Sequence, residues 1–128
     1  MSCASPSTSG RNDASGATSD VINWGTCGGT KETGPEFAHY FTPTGPGPYT
    51  IQAIGLYGDL DMFLIEAPSQ NTCEPTATCV ASSKTAGMAS ESMTFTADPT
   101  KRYYIVLDGY NGAISPYTLA ITAGCPFP

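Results

Sequence analysis

The sequence predicts an all-β protein folded as a sandwich of short antiparallel strands. Runs rich in β-branched and aromatic residues alternate with turn clusters about every 10–15 residues. Apolar and polar residues alternate with a period of two in several runs, whereas no segment keeps a helical period of about 3.6 residues for three turns. Glycine (14) and proline (11) are about a fifth of the 128 residues, which is typical of a chain with many turns.

The elements follow in order along the chain. Residues 2–34 are rich in small and polar residues, which predicts loops with a short edge strand. Seven strand-like runs follow, separated by segments with turn chemistry. These are Glu36–Thr42, Pro48–Tyr57, Leu60–Ala67, Thr78–Ser83, Glu91–Ala97, Lys101–Asp108 and Ser115–Thr122. We therefore expect one domain over residues 1–128, with a loop-rich N-terminal segment (1–34) and a core sandwich (35–125).

The alternation also assigns faces to the predicted strands. Met93, Phe95 and Ala97 share one face of their run, with threonines on the other. The run 103–107 is apolar on both faces, which is typical of a central strand with both faces covered.

Charge is scarce and negative. Charged residues make up 12% of the chain and the formal net charge is −6. Nucleic acids and anionic lipids are bound by basic surfaces, so we expect neither as a partner. No apolar run approaches the roughly 20 residues of a membrane span, and no signal-peptide core is present in the first 20 residues.

Five cysteines and one histidine limit the metal and redox chemistry. No C-x-x-C pair occurs, and His39 is the sole histidine, so the spacings do not indicate zinc. They suit disulfides in an oxidising compartment, which predicts a secreted or cell-surface protein.

Two disulfides are expected. Cys73 and Cys79 enclose a short loop between two strand-like runs, and closing it contributes about 2 kcal/mol in the chain-entropy model. Cys3 with Cys27 is the second predicted bridge. Cys125 is then left over, either buried, paired outside the chain, or displacing one partner of the second bridge.

Five segments, in order, resemble bacterial pre-peptidase C-terminal domains over roughly residues 20–125. They are Gly-Pro-Glu-Phe-Ala-His-Tyr-Phe at 34–41, Gly-Asp-Leu-Asp-Met-Phe-Leu at 58–64, Glu-Ser-Met-Thr-Phe-Thr-Ala at 91–97, Tyr-Tyr-Ile-Val-Leu-Asp-Gly-Tyr at 103–110 and Ser-Pro-Tyr-Thr-Leu-Ala-Ile at 115–121. The resemblance implies a jelly-roll-like sandwich of about eight strands and a non-catalytic appendage of secreted proteases or surface proteins. Related collagen-binding modules bind calcium and a protein fibre, but their N-terminal calcium-ligand segment has no residue-by-residue match here.

Asp59 and Asp61 form the first candidate calcium site. They are two residues apart on a predicted strand, so both side chains lie on one face. Calcium prefers clustered carboxylate and carbonyl oxygens. An EF-hand is excluded, because the sixth position from Asp59 is Leu64 and the twelfth is Gln70. The alternative is structural: Asp59 caps a turn and Asp61 bonds to a neighbouring strand.

Other acidic residues extend the metal hypothesis. Asp13 and Asp20 lie in an oxygen-rich stretch that is either a separate calcium site or a solvated loop. Further acidic residues stand at predicted strand ends, and a shared site forms only if those ends converge. They are Glu36, Asp59, Asp61, Glu91 and Asp108, of which all but Glu91 make up the shared-site hypothesis.

Aromatic residues and the histidine complete the candidates. Trp24 and Tyr110 lie in or beside turns, so we expect them to be exposed and to contact a glycan or protein partner; the alternative is packing in the core. The sequence has no Gly-x-Ser-x-Gly nucleophile elbow for which His39 could act as the base. We therefore expect that the protein is not an enzyme.

These observations predict a non-catalytic extracellular accessory module that supports adhesion, targeting or folding of a larger protein, with calcium as its one expected cofactor. The alternative is a structural subunit of an extracellular filament or surface assembly, in which edge strands and Cys125 join neighbouring chains. The extracellular partner would be a protein or a glycan.

Overall fold

Eight strands build the molecule in the computed structural model, which describes residues 1–19, 24, 27–28, 31–45, 47–67 and 79–125. They are β1 (Ser7–Arg11), β2 (Glu36–Phe41), β3 (Gly47–Ile54), β4 (Leu60–Ala67), β5 (Cys79–Ser83), β6 (Glu91–Ala97), β7 (Arg102–Gly109) and β8 (Pro116–Ala123). A 3₁₀ turn over Tyr110–Gly112 follows β7. All seven strands predicted after residue 35 are present, and β1 is the short N-terminal edge strand. The described residues contain no helix of the length and hydrophobicity that a membrane crossing needs.

The strands form two four-stranded antiparallel sheets, in the orders β1-β8-β3-β6 and β2-β7-β4-β5. This arrangement is a jelly roll, in which the two sheets face each other. Strand β7 lies between β2 and β4, so the run predicted to be central is central. The prediction of an all-β antiparallel sandwich of about eight strands is confirmed.

The inward faces of the two sheets form the main core. The alternation predicted for β6 is observed, with Met93, Phe95 and Ala97 buried and the intervening residues exposed. Aromatic side chains fill the centre, where the Phe41 ring lies 5.1 Å from Tyr49. Burying side chains of this size contributes about 1.5–3 kcal/mol each, so this core is the main source of stability.

A second apolar cluster covers the outer face of the sheet β2-β7-β4-β5. Strands β4 and β7 carry apolar side chains on both faces, so this outer face must also be shielded from water. Trp24, from the N-terminal segment, provides the cover by stacking on Phe63 with ring centroids 5.1 Å apart. Trp24, in the segment predicted to be loop-rich, is thus part of the folded body.

Both predicted disulfide pairings are wrong. The observed bridges join Cys3 to Cys125 and Cys27 to Cys79. Sequence proximity was a poor guide, because pairing of β1 with β8 brings the chain ends together, while the segment carrying Cys27 lies against β5. Cys125 is therefore not a spare cysteine. Cys73 lies outside the described residues.

Candidate metal centre

Three carboxylates lie side by side on the sheet β2-β7-β4-β5. The strand register pairs Glu36 with Asp108 and Asp108 with Asp61. Directly paired residues of neighbouring strands project from the same face with Cβ atoms about 5 Å apart. The strand ends therefore converge, as the shared-site hypothesis required.

A tighter group adjoins this row, and we call it the acidic cluster: Glu32, Asp59, Asp61 and Glu91. One carboxylate oxygen from each of Asp59, Asp61 and Glu91 lies within 4.8 Å of the others. The Glu32 carboxyl is within hydrogen-bonding reach of the Asp61 carboxyl. The predicted pair Asp59 and Asp61 is thus joined by two further carboxylates.

Backbone and side-chain contacts fix the members of the cluster. Asp59 lies in the turn before β4, where its carbonyl oxygen accepts a hydrogen bond from the Tyr110 N–H at 3.0 Å. Glu91 opens β6, and its Oε2 accepts hydrogen bonds from Ser83 Oγ at 2.5 Å and from the Thr85 N–H at 3.0 Å. The carboxylates are therefore held in place by neighbouring structure.

Several oxygens of these carboxylates are buried and receive no hydrogen bond from the described residues. Glu32 and Glu91 are 0% exposed, and Asp61 is 4% exposed. Buried polar atoms are nearly always hydrogen-bonded in folded proteins, because leaving them unpaired is destabilising. The unpaired atoms are Glu32 Oε1 and Oε2, Asp59 Oδ1, Glu91 Oε1 and Asp108 Oδ1.

Burial also holds protons on the carboxylates. Burial and, to a smaller extent, the neighbouring Asp61 carboxyl together raise the pKa of Glu32 to about 9. Burial likewise raises the pKa of Asp61 to about 6. The pKa of Asp108 is raised to about 8 by burial, against the lowering effect of the hydrogen bond from Trp24. At neutral pH the metal-free cluster therefore retains protons that a cation would displace.

Asp13 and Asp20 are not brought to this cluster by the described structure. Asp13 is on the surface, where Arg11 Nε donates to its Oδ1 at 2.9 Å and holds its pKa below the usual value. Within the described ranges, Asp13 belongs to no group of three or more metal-ligating side chains. Asp20 lies outside the described residues.

Asn12, which precedes Asp13, is buried and fully engaged. Its Nδ2 donates to the carbonyl oxygens of Pro35 (2.8 Å) and Ala113 (2.9 Å), and its Oδ1 accepts from the Ser115 N–H (2.8 Å). These bonds tie the end of β1 to the start of β2 and to the loop before β8. Asn12 thus contributes to the fold by joining these three parts of the chain.

Trp24 is not exposed, so the prediction of a surface tryptophan is wrong. It is 1% exposed, and its Nε1 donates to Asp108 Oδ2 at 2.7 Å. The turn residues around Trp24 predicted exposure, but the Trp24 side chain packs on the apolar outer face of the sheet β2-β7-β4-β5. Tyr110 is half-buried at the start of the 3₁₀ turn. Among the described tyrosines, Tyr57 is the most exposed, at 78%.

His39 lies between the two sheets, beside two aromatic residues. Its Nε2 shares a hydrogen bond of 2.6 Å with the hydroxyl of Tyr117, and its ring lies against Phe37. Burial lowers the pKa of His39. The contacts observed for this side chain are aromatic, and it acts as part of the packing between the sheets.

Sequence reasoning missed Glu32 as a site residue and did not assign Glu91 to the metal group. Glu91 had a readable signal, because it shares the inward face of β6 with Met93 and Phe95, where an apolar residue is expected. Glu32 had none, because it lies in a loop-rich segment without periodicity. Only the folded chain places Glu32 beside Asp61.

Comparison with known proteins bears on the fold. The structure is similar to the crystal structure of the pre-peptidase C-terminal domain of a collagenase from Bacillus anthracis, with a TM-score of 0.55. The match covers 95% of this chain and 91% of that chain. The fold is that of a pre-peptidase C-terminal domain. The resemblance drawn from the five sequence segments is confirmed at this level.

The likeness to the pre-peptidase C-terminal domain is one of structure more than of sequence, since the two chains are 15% identical. No family model matches the sequence, and no curated protein matches it. An identity this low is consistent with a shared strand order and core alternation. What the site binds must therefore be inferred from the residues of this chain.

Proposed function

We propose that this chain is a non-catalytic accessory module of an extracellular protein, and that calcium bound at the acidic cluster stabilises it. One observation carries the calcium part: Glu32, 0% exposed, has two carboxylate oxygens without a hydrogen-bond donor beside Asp61. A cation would satisfy those oxygens and remove the repulsion between neighbouring carboxylates. Metal-free, the protein must protonate them instead.

The donor set fits calcium. All four members offer oxygen, which is the ligand type of hard cations, and none offers sulfur or nitrogen. Two oxygens on opposite sides of one calcium ion are about 4.6–5.2 Å apart, since Ca–O distances are about 2.3–2.6 Å. The 4.8 Å limit on the spread of the Asp59, Asp61 and Glu91 oxygens is compatible with one ion. Magnesium is less suitable, because it retains several waters and a buried all-protein site would remove them.

Three further features support an extracellular accessory role. Two disulfides join distant parts of the chain, which suits an oxidising compartment. The similar structure is a domain of a larger protein, a collagenase. The contacts of His39, the sole histidine, with the described residues are with Tyr117 and Phe37. The role in adhesion, targeting or folding, and the protein or glycan partner, remain part of this proposal.

The structural-subunit alternative loses one of its supports. It relied in part on Cys125 joining neighbouring chains, but Cys125 is bonded to Cys3 of the same chain. Edge strands remain at the margins of both sheets, as in any open sandwich. The accessory module is therefore the function that we propose.

Thermal melts of the oxidised protein test the calcium proposal. Calcium at 100 times its Kd adds about 2.7 kcal/mol, which raises Tm by roughly 10 °C for a domain of this size. We expect a saturable rise over EDTA with calcium, and a much smaller one with magnesium. Asp61→Asn should abolish the rise, while the matched surface variant Asp13→Asn should keep it. An equal Tm in EDTA and in saturating calcium would contradict the proposal.

A further inference from the structure

One wall of the acidic cluster comes from described residues of the N-terminal region, none of which lies in a strand. We call these residues the covering segment: Trp24, Cys27, Gly28, Lys31 and Glu32. Trp24 donates to Asp108, and Glu32 faces Asp61. The other walls, at β4, β6 and β7, are held by the strand pairing of the sheets.

Backbone hydrogen bonds join described residues of the covering segment to one another and to the 3₁₀ turn after β7. The Trp24 N–H donates to the Gly28 carbonyl at 3.0 Å, and the Cys27 N–H donates to the Trp24 carbonyl at 3.2 Å. At the Glu32 end, the Asn111 N–H donates to the Lys31 carbonyl at 2.9 Å. These bonds shape the segment and fix one of its ends.

The middle of the covering segment is attached covalently. Cys27 is bonded to Cys79, the first residue of β5, and the Lys84 ammonium donates to the Cys27 carbonyl at 2.5 Å. Strand β5 pairs with β4, which carries Asp61, and its last residue, Ser83, donates to Glu91. The bridge therefore links the covering segment to the strand that supports two other members of the cluster.

We propose that the Cys27–Cys79 bridge is a positioning element of the cation site, so that calcium binds tightly only when this bridge is oxidised. The inference rests on the proposed function. Removing the bridge frees the covering segment to move away, and calcium must then restore its order at the expense of binding free energy. We expect calcium affinity to fall about tenfold, a typical coupling between two sites. Because coupling is reciprocal, bound calcium also protects the bridge from reduction.

The second disulfide provides a matched control. Cys3–Cys125 lies near the far end of β2 from the cluster, where the Met1 carbonyl accepts from the Thr42 N–H at 3.1 Å. Glu36 begins β2, and six residues of strand separate the two positions by roughly 20 Å. Cys3–Cys125 closes a longer loop than Cys27–Cys79, with a sequence separation of 122 against 52. Its removal should therefore reduce stability more and calcium affinity less.

Calcium titration calorimetry of three proteins tests the proposal: wild type, Cys27→Ser/Cys79→Ser and Cys3→Ser/Cys125→Ser. Both partners are replaced in each variant, so that neither is left to pair with Cys73. We expect the first variant to bind about tenfold more weakly and the second to bind like wild type. Equal affinity in all three overturns the inference and leaves the proposed function standing. No binding by wild type overturns both.

A second measurement applies if the Cys27→Ser/Cys79→Ser variant does not fold. A dithiol such as dithiothreitol gives two electrons and two protons to each S–S bond, forming two thiols, and itself closes to a disulfide. The wild-type protein is treated with it in calcium or in EDTA, and the thiols are alkylated and assigned by mass spectrometry. Global stabilisation slows both reductions equally, so the readout is the ratio of the two rates. We expect calcium to slow Cys27–Cys79 cleavage at least threefold more than Cys3–Cys125 cleavage; an unchanged ratio overturns the inference.

Discussion

Replacing Glu32 with glutamine should stabilise the metal-free protein while weakening its response to calcium. Glutamine keeps the shape of the side chain and removes one carboxylate from a buried acidic cluster. Its amide can donate a hydrogen bond to the facing Asp61 carboxylate without first taking up a proton, as the glutamate must. The two effects have opposite signs, so general damage to the fold cannot imitate them.

The size of the stabilisation follows from the raised pKa of Glu32. Burial raises this pKa from its ordinary value of 4.5 to about 9, so at pH 7 the folded protein holds a proton that the unfolded chain releases. Relative to a pH below 4.5, where both states carry the proton, this difference lowers the free energy of unfolding at pH 7 by about 3 kcal/mol. Glutamine has no such proton to hold, but it is also buried and polar. We therefore expect Glu32→Gln to gain about 1–3 kcal/mol at pH 7 and close to nothing at pH 4.5.

Urea denaturation in EDTA at the two pH values measures this gain, with Asp13→Asn as a control of the same charge change at the surface. Asp13 is paired with Arg11, and exposed ion pairs contribute about 0–1 kcal/mol, so the control should be neutral or slightly destabilised. In calcium the order should reverse, with wild type more stable than Glu32→Gln. A Glu32→Gln protein that is less stable than wild type in EDTA at pH 7 would refute this account of the cluster.

Three further predictions concern the surroundings of the site. Trp24→Phe removes the donor to Asp108 and should lower the free energy of unfolding in EDTA by about 1–3 kcal/mol, measured by urea denaturation with circular dichroism; a change below about 0.5 kcal/mol would contradict it. Cys3→Ser/Cys125→Ser should lose about 5 kcal/mol in the same assay, from the entropy of a 122-residue loop, and a loss below about 1 kcal/mol would count against that origin. In EDTA, wild-type stability should fall as pH rises from about 4 to about 9, because the folded state holds protons on Glu32 and Asp108 that the unfolded chain releases; a profile that rises over this range would contradict the raised pKa values.

The strand pattern made most of the fold predictable. In β6 and β8, large apolar residues alternate with small or polar ones, mostly threonines. A shift of one residue in the pairing register would turn the whole core face of the strand toward solvent. The run 103–107 identified the central strand because both its faces are apolar. These local signals identify the strands and their buried faces, but not the pairing, because only β4 and β5 are both consecutive in sequence and neighbours in a sheet.

The contacts that sequence reasoning could not predict are long-range ones. Trp24 was assigned to the surface because its neighbours have turn chemistry, but its position is decided by the apolar outer face around Phe63. The disulfide pairings depend on the same placement, since Cys27 reaches Cys79 only when the segment lies across the sheet. Glu32 joins Asp61 for that reason too. A residue in a loop acquires its role from the surface that the rest of the chain presents to it.

In the proposed function, calcium replaces protons on buried carboxylates. Calcium titration calorimetry at pH 7 in two buffers of different ionisation enthalpy, PIPES and Tris, measures binding and proton release together. We expect saturable binding whose heat differs between the buffers, because Glu32, a member of the cluster, holds a proton in the metal-free protein. Asp61→Asn should lose this signal and Asp13→Asn should keep it. Absence of binding heat in both buffers, or binding with no released protons, would contradict the account.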